Sequence, residues 1–339
     1  MKKKLNKWQI TFLLFLVVGT LYVLNNQPPY HRAQGIIYGT FYHITYQNKY
    51  DLSTEIKDRL LEVDAAFSMY NDTSLISRIN RNDSILVTPL FKHIFNLSER
   101  IAQETDGAFD ITVAPLVNTW GFGFKKNIAI DSATIDSIRP FIGYQKVRLV
   151  NNMVTKENPH IMLDCSAIAK GYGSDRVAEL FDEEGIKNYM IEIGGEIVVK
   201  GMNPQKKKWM IGINKPVDDS LNVNNTLETI ISISNRSIAT SGNYRKFYYL
   251  NGKKYAHTID PRTGYPVQHS LLSATVITKY CAEADAYATS FMVMGLEKAI
   301  QFIDNHKGID AYFIYGDHDG NLKTYYSKGM DKYKTKEQD

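Results

Sequence analysis

Apolar and polar residues alternate at every second position over many short runs of this chain, and at every third or fourth over a few longer ones. Both strands and helices are therefore expected. The run GIIYGTFYHITYQ (35–47) alternates as a strand. STEIKDRLLEVDAAFSM (53–69) has helical spacing, with Ser53 placed to cap it. A second helix is expected from Thr88-Pro89, a cap followed by proline in the first turn, to Gly107. KVRLVNNMVTKE reads as a hairpin around Asn151-Asn152, and KFYYLNGKKYAHTI as a tighter one around Asn251-Gly252. Further strands are expected at IMLDCS, NYMIEI, WMIGIN, TIISISN, LSATVIT and DAYFIYG, and a final long helix from about Ala282 to Asn305. Strands outnumber helices and hairpins are frequent. The pattern predicts an α+β fold with mostly antiparallel or mixed sheets and flanking helices, not a doubly wound parallel sheet.

One segment breaks the alternation. Residues 8–24, WQITFLLFLVVGTLYVL, are uncharged and follow Lys2, Lys3, Lys4 and Lys7. Such a run is at the short edge of the roughly 17–25 residues that span a bilayer as a helix. No small-residue cleavage triplet follows it, and no cysteine is available for a lipid anchor. The expectation is an uncleaved signal anchor over 1–24 rather than a cleaved peptide, with the body outside the cytoplasm. Residues 25–34 read as a linker, 35–327 as the globular body, and 328–339 as a charged, frayed tail. Of the 40 Lys and Arg, those four lysines sit in the first seven residues, leaving 36 basic against 36 acidic. A balanced body argues against nucleic-acid binding. Two cysteines, Cys165 and Cys281, make neither a disulfide framework nor a thiolate metal cage, and read as free buried thiols.

Candidate chemistry lies in several short stretches. Asp285 and Thr289, four apart on the last helix with small Ala284 and Ala288 beside them, point from one face. Oxygen ligands of this kind suit a hard cation such as Mg²⁺; the plainer reading is an acid favouring the helix dipole and a threonine bonded to its own backbone. In LDCSAIAKGYG, Asp164 ends an apolar run, and Lys170 stands beside Gly171 and Gly173 at a strand-to-helix junction. That arrangement suits a phosphate without being a Walker loop, or is an ordinary turn with a solvated lysine. In AHTIDPRTGYP, His257 precedes a turn and is either a general base or a structural histidine. The runs IEIGGEIVV and IATSGNYR are hairpin turns or places of close backbone approach. SMYNDTSLISRIN supplies Tyr70, and GAFDITVAPLVNTWGFG supplies Asp110.

Taken in order, YGTFY, SMYNDTSLISRIN, GAFDITVAPLVNTWGFG, LDCSAIAKGYG, IEIGGEI, IATSGNYR, HTIDPRTGYP and ADAYATSFMVMG resemble the FAD:protein FMN transferase (ApbE-like) family, from about Gly39 to Gly295. The resemblance implies an enzyme that breaks the pyrophosphate of FAD and attaches the FMN half to a Ser or Thr hydroxyl of an acceptor protein, releasing AMP. It implies Mg²⁺ held by Asp285, Thr289 and the backbone carbonyl of Ala167, with Ala288 unable to ligate. It places flavin-nucleotide contacts at Tyr38, Tyr70, Ala108, Phe109, Asp110, Asp164, Lys170 and Ile259, Tyr38 standing where methionine is frequent. His257 becomes the base that activates the acceptor hydroxyl. Implied acceptors are flavoprotein subunits of ion-pumping NADH:quinone reductases or Rnf-type complexes. Two other activities would draw on the same residues: a metal-dependent FAD pyrophosphatase, and a flavin-binding protein that catalyses nothing.

Overall fold

The computed structural model describes residues 6–25, 27–123, 131–216, 226–244, 247–250 and 252–335. Lys2 to Lys4, Asn251 of the second hairpin turn and residues 336–339 of the tail lie outside them. The N-terminal apolar run folds into α1 (Lys7–Asn25), whose Trp8 and Phe15 are exposed. Among the described residues no helix is long and apolar enough to cross a membrane, so the expected anchor gains no support from them.

The chain enters its sheet earlier than the sequence suggests. β1 (Tyr30–Ile37) takes up part of the expected linker, because the alternation of inward and outward residues runs back through buried Ala33. The expected single strand 35–47 is in fact split. Tyr38 and Gly39 have φ of 52° and 72°, forming the two-residue left-handed turn that suits a hairpin between β1 and β2 (Thr40–Gln47). In α2 (Ser53–Phe67), Ser53 is the first helical residue and not the cap. Asp51 instead accepts the Ser53 N–H at 3.0 Å and its hydroxyl at 2.7 Å. After α3 (Leu75–Asn80) comes α4 (Pro89–Glu104), which starts as expected with Thr88 Oγ1 accepting from Phe91 N–H at 3.2 Å. Next follow α5 (Ala114–Thr119), α6 (Ser132–Ile138), β3 (Val147–Val150) and β4 (Met153–Lys156), the last two joined through left-handed Asn151 and Asn152.

IMLDCS is not a strand. The Asn80 side chain clamps Leu163, accepting its N–H at 2.7 Å and donating to its carbonyl at 2.9 Å, while Asp164 N–H reaches the Ile111 carbonyl at 2.7 Å. With its polar backbone satisfied this way, a buried apolar run needs no ladder. Then come α7 (Ala169–Glu183), β5 (Tyr189–Ile193), β6 (Glu196–Lys200), β7 (Trp209–Asn214), β8 (Leu227–Ile233), β9 (Arg236–Gly242), β10 (Phe247–Leu250), β11 (Lys253–Ala256) and β12 (Leu271–Thr278). The expected last helix is two, α8 (Cys281–Met294) and α9 (Leu296–Asn305), broken at Gly295 where φ is +79°. β13 (Asp310–Gly316) and β14 (Leu322–Tyr326) complete the sheet. Within the expected tail, Lys328–Tyr333 forms a tight 3₁₀ turn that buries Met330 and Tyr333.

Eight strands form one antiparallel sheet in the order β1-β2-β5-β6-β9-β12-β13-β14. Alternate side chains of its central strands feed two cores. Ala239, Ala274, Val276 and Phe313 face the helices, with Phe91, Ala288 and Phe291. Ile238, Ile277, Tyr312 and Ile314 face the β7–β8 ribbon and the C-terminal turn. A third core sits between α2, α7 and the β1–β2–β5 end, and a small fourth gathers Leu116, Trp120, Ile135, Ile142 and Ile259. The α+β, largely antiparallel architecture thus matches the sequence pattern. Both cysteines are free and buried.

Candidate active site

Two helices carry Lys170, Asp285 and Thr289, and each caps the other. No side chain at the start of α7 caps it. Asp285, in the second turn of α8, does so instead, its Oδ2 accepting the Gly171 N–H at 3.0 Å. In return Asp175 of α7 accepts the N–H groups of Cys281 and Ala282, the first residues of α8, at 2.8 Å each. Each carboxylate lies at the electropositive end of the other's helix. The backbones approach so closely that a Cβ on Gly171 would lie 2.3 Å from the Cys281 carbonyl oxygen. Burial pushes the Asp175 carboxyl up to about 7, its two backbone hydrogen bonds only partly offsetting the loss of water.

Lys170 stands in the middle of this junction. Its ammonium is 2.8 Å from Glu196 Oε1 and 3.5 Å from Asp285 Oδ2, with the side chain 29% exposed. Desolvation pulls the lysine pKa down, but Asp285 and Glu196 more than offset it and hold it above its ordinary value. Glu196 opens β6 behind the left-handed Gly194-Gly195 turn and is buried. Burial raises its carboxyl, Lys170 opposing, and its Oε2 has no hydrogen-bond partner. Thr289, one turn beyond Asp285, meets Ser241 of β9 with the two hydroxyls 3.2 Å apart. Ala167 lies two residues ahead of α7. Among the described residues no three His, Cys, Asp or Glu side chains are placed to hold a metal, so the site offers no carboxylate cage. Asp285 and Thr289 carry hard oxygens one turn apart on α8, the donor type that a Mg²⁺ ion takes.

A second group surrounds GAFD. Ala108 and Phe109 are buried, and Asp110 turns back on its own chain. Its Oδ1 accepts from the Thr112 N–H and hydroxyl at 2.8 and 2.7 Å, and its Oδ2 from Tyr144 N–H at 2.8 Å. Burial pushes the Asp110 carboxyl up despite these bonds. The Asp164–Ile111 backbone bond sets this segment beside the approach to α7, where Asp164 Oδ1 accepts the Ser166 N–H at 2.8 Å. The structure therefore sets the end of the GAFD segment beside Asp164, from which the chain runs on through Ala167 to Lys170. His257 follows β11, edge-on to Phe122 with ring centres 6.4 Å apart. Its neighbour Thr258 donates to Asn243 Oδ1 at 2.7 Å, just past the end of β9, while Ile259 is buried in the fourth core. The histidine turn is thus tied to the strand that bears Ser241.

Tyr38 and Tyr70 behave differently from each other. Tyr38 donates its hydroxyl to the Leu60 carbonyl at 2.8 Å, and its ring presses on Gly173, where a Cβ would come within 2.7 Å. Burial, with Asp64 adding to it, raises its pKa strongly. Its ring and hydroxyl are taken up by the α2–α7 contact. Tyr70 is 80% exposed in the turn after α2. Sequence reading missed Glu196, Asp175 and Ser241. The signals were slight: an acid directly after a glycine pair between two apolar strands, and an acid on the apolar side of α7 near Tyr172. A groove of about 660 Å³, lined by Glu62, Leu75, His93, Tyr172 and Arg176 among others, opens between α2, α4 and α7 and contains none of the expected site residues.

Hard oxygens and one lysine gathered where two helices begin suit a phosphate-bearing ligand. The chain belongs to the ApbE family, whose model matches residues 38–313. It is 35% identical over 308 residues to the FAD:protein FMN transferase of Escherichia coli strain K12, covering 87% of this chain and 86% of that protein. Among solved structures it is similar to the flavin transferase ApbE from Vibrio cholerae, with a TM-score of 0.81 and 35% identity over 90% of this chain and 99% of that one. The apo form of the flavinyl transferase ApbE from Pseudomonas stutzeri superposes with a TM-score of 0.80 at 28% identity, over 90% of this chain and 96% of that one.

Proposed function

We propose that this protein moves the FMN half of FAD onto a Ser or Thr hydroxyl of an acceptor protein, with a divalent cation held at Asp285, Thr289 and the Ala167 carbonyl. Flavin transfer itself is the activity of the family to which the chain belongs. The observation that carries the finer reading is the meeting of Lys170 with Asp285 at the start of α7. A lysine, a helix N-terminus and an acid one turn from a threonine are what a pyrophosphate and its counter-ion require.

The acceptor oxygen bonds to the phosphorus of the FMN half, the bond from that same phosphorus to the bridging oxygen breaks, and AMP leaves with the bridging oxygen. His257 takes the hydroxyl proton, a contribution on the order of 10²–10⁴ in rate. Lys170 holds phosphate oxygens as a point charge that its two carboxylate neighbours keep protonated. Thr289 and Asp285 orient from one face of α8, and the buried GAFD and Asp164 segments give the flavin nucleotide a rigid wall. When bound, Mg²⁺ supplies charge stabilisation on the phosphate oxygens. The lysines of residues 2–7 ahead of an apolar run support a membrane-attached body outside the cytoplasm, near flavoprotein subunits of quinone-reductase or Rnf type.

The test is mass spectrometry of an acceptor domain incubated with the protein, FAD and Mg²⁺. A Ser or Thr carrying FMN with the wild type, and none with Asp285→Asn, is the expected result. AMP released at equal rates with and without acceptor, the acceptor staying unmodified, would make the protein a pyrophosphatase. Bound FAD with no AMP at all would make it a carrier.

A further inference from the structure

We propose that Glu196 is a positioning residue: it draws the Lys170 ammonium away from Asp285 and so keeps the Asp285 carboxylate open to a divalent cation. This rests on the metal reading given above. An ammonium and a divalent cation compete for the same carboxylate, so a lysine bonded firmly to Asp285 would block the ion it is meant to assist. The structure resolves that competition in favour of Glu196, at 2.8 Å from Lys170 Nζ against 3.5 Å for Asp285. Glu196 is well placed to pull because it does not belong to either helix. It is fixed at the head of β6 by pairing with Ile193, and its carbonyl accepts the Ser174 hydroxyl at 3.2 Å. Its Oε2 is buried without a hydrogen-bond partner, although buried carboxylate oxygens are nearly always satisfied. That oxygen is a second acceptor beside the lysine, available when Asp285 is engaged elsewhere. Two roles are separated in this way: Asp285 takes the cation, and Glu196 keeps the lysine charged and in place.

The experiment measures Mn²⁺ binding to the full chain by electron paramagnetic resonance, without FAD. Glu196→Gln removes the competing charge and leaves Lys170 to Asp285. Mn²⁺ affinity is expected to fall about tenfold, the scale of one opposite charge at hydrogen-bond distance. Adding Lys170→Met to that variant removes the competitor and is expected to restore affinity to near the wild-type value. A purely structural role for Glu196 predicts no such rescue. Unchanged affinity in Glu196→Gln, or a double variant as weak as the single one, overturns the proposal. Glu196→Asp keeps the charge and covers the case in which the glutamine variant does not fold; it is expected within about threefold of wild type, and a tenfold loss there also overturns the proposal. Asp285→Asn separates the two readings. Loss of Mn²⁺ binding in Asp285→Asn with none in Glu196→Gln sinks the Glu196 role alone, whereas binding retained in Asp285→Asn sinks the metal site beneath it.

Discussion

Replacing Gly171 by alanine tests the helix junction on which the site is built. A Cβ at this position would meet the Cys281 carbonyl oxygen at 2.3 Å, its carbon at 2.6 Å and Ala282 Cα at 2.9 Å. Ordinary contact lies near 3.5 Å, and all three atoms are backbone, so no side chain can swing aside and the helices must part by about 1 Å. Overpacking of this sort costs about 1–3 kcal/mol. Parting also stretches the 3.0 Å Gly171–Asp285 hydrogen bond, and leaving those groups poorly paired costs a further ~1–3 kcal/mol. Against this, alanine gains about 1 kcal/mol of helix propensity over glycine. The net expectation is a loss of about 1–5 kcal/mol, read as a lower urea midpoint at unchanged slope. Flavin transfer should fall with it, because Lys170 moves with its neighbour. Gly316→Ala, which adds a Cβ with nothing within 4 Å, is the control and should change stability little. A Gly171→Ala protein as stable as wild type and as fast in transfer would refute the reasoning.

Asp175, pushed up to about 7 in the folded chain, keeps a proton that the unfolded chain loses near pH 4. Its stabilising contribution is therefore complete below about pH 4 and is lost as pH rises to about 7. Urea midpoints taken from pH 5 to 8 should fall more steeply for wild type than for Asp175→Asn, and equal slopes would count against the assignment. Tyr38→Phe removes the hydroxyl bond to the Leu60 carbonyl and should cost about 0.5–1.5 kcal/mol in the same assay. His257→Ala should slow transfer roughly 10²–10⁴-fold while FAD affinity, measured by flavin fluorescence quenching, stays within about threefold; full-rate transfer would exclude it as the base.

Much of the sheet was legible because its strands alternate cleanly and its turns carry the residues that left-handed backbone requires, Asn151-Asn152 and Gly194-Gly195 among them. The misreadings have physical causes. Tyr38 hides a hairpin because a bulky aromatic rarely takes positive φ, and only the following glycine hinted at the turn. IMLDCS looks like a strand because burial alone selects apolar residues, and the distant side chain of Asn80 supplies the hydrogen bonds a ladder would. Gly295 breaks a helix whose apolar residues continue on both sides. Within the site, the i, i+4 spacing of Asp285 and Thr289 set them on one face, but nothing local announces that Asp285 also reaches Gly171, 114 positions away. Glu196 and Asp175 escaped notice for the same reason: their partners come from other elements.

The crossed carboxylates of α7 and α8 tie the replaceability of each acid to a backbone it does not belong to. A substitute at 285 must suit whatever binds there and, at the same time, accept an amide proton from a glycine that tolerates no added atom. A longer glutamate would have to fold back within that crowded seam, and an alanine would leave the first turn carrying Lys170 without its holder. Neither helix start can therefore loosen alone, and hydrogen exchange at the amides of Gly171, Cys281 and Ala282 should proceed through one shared opening rather than three separate ones.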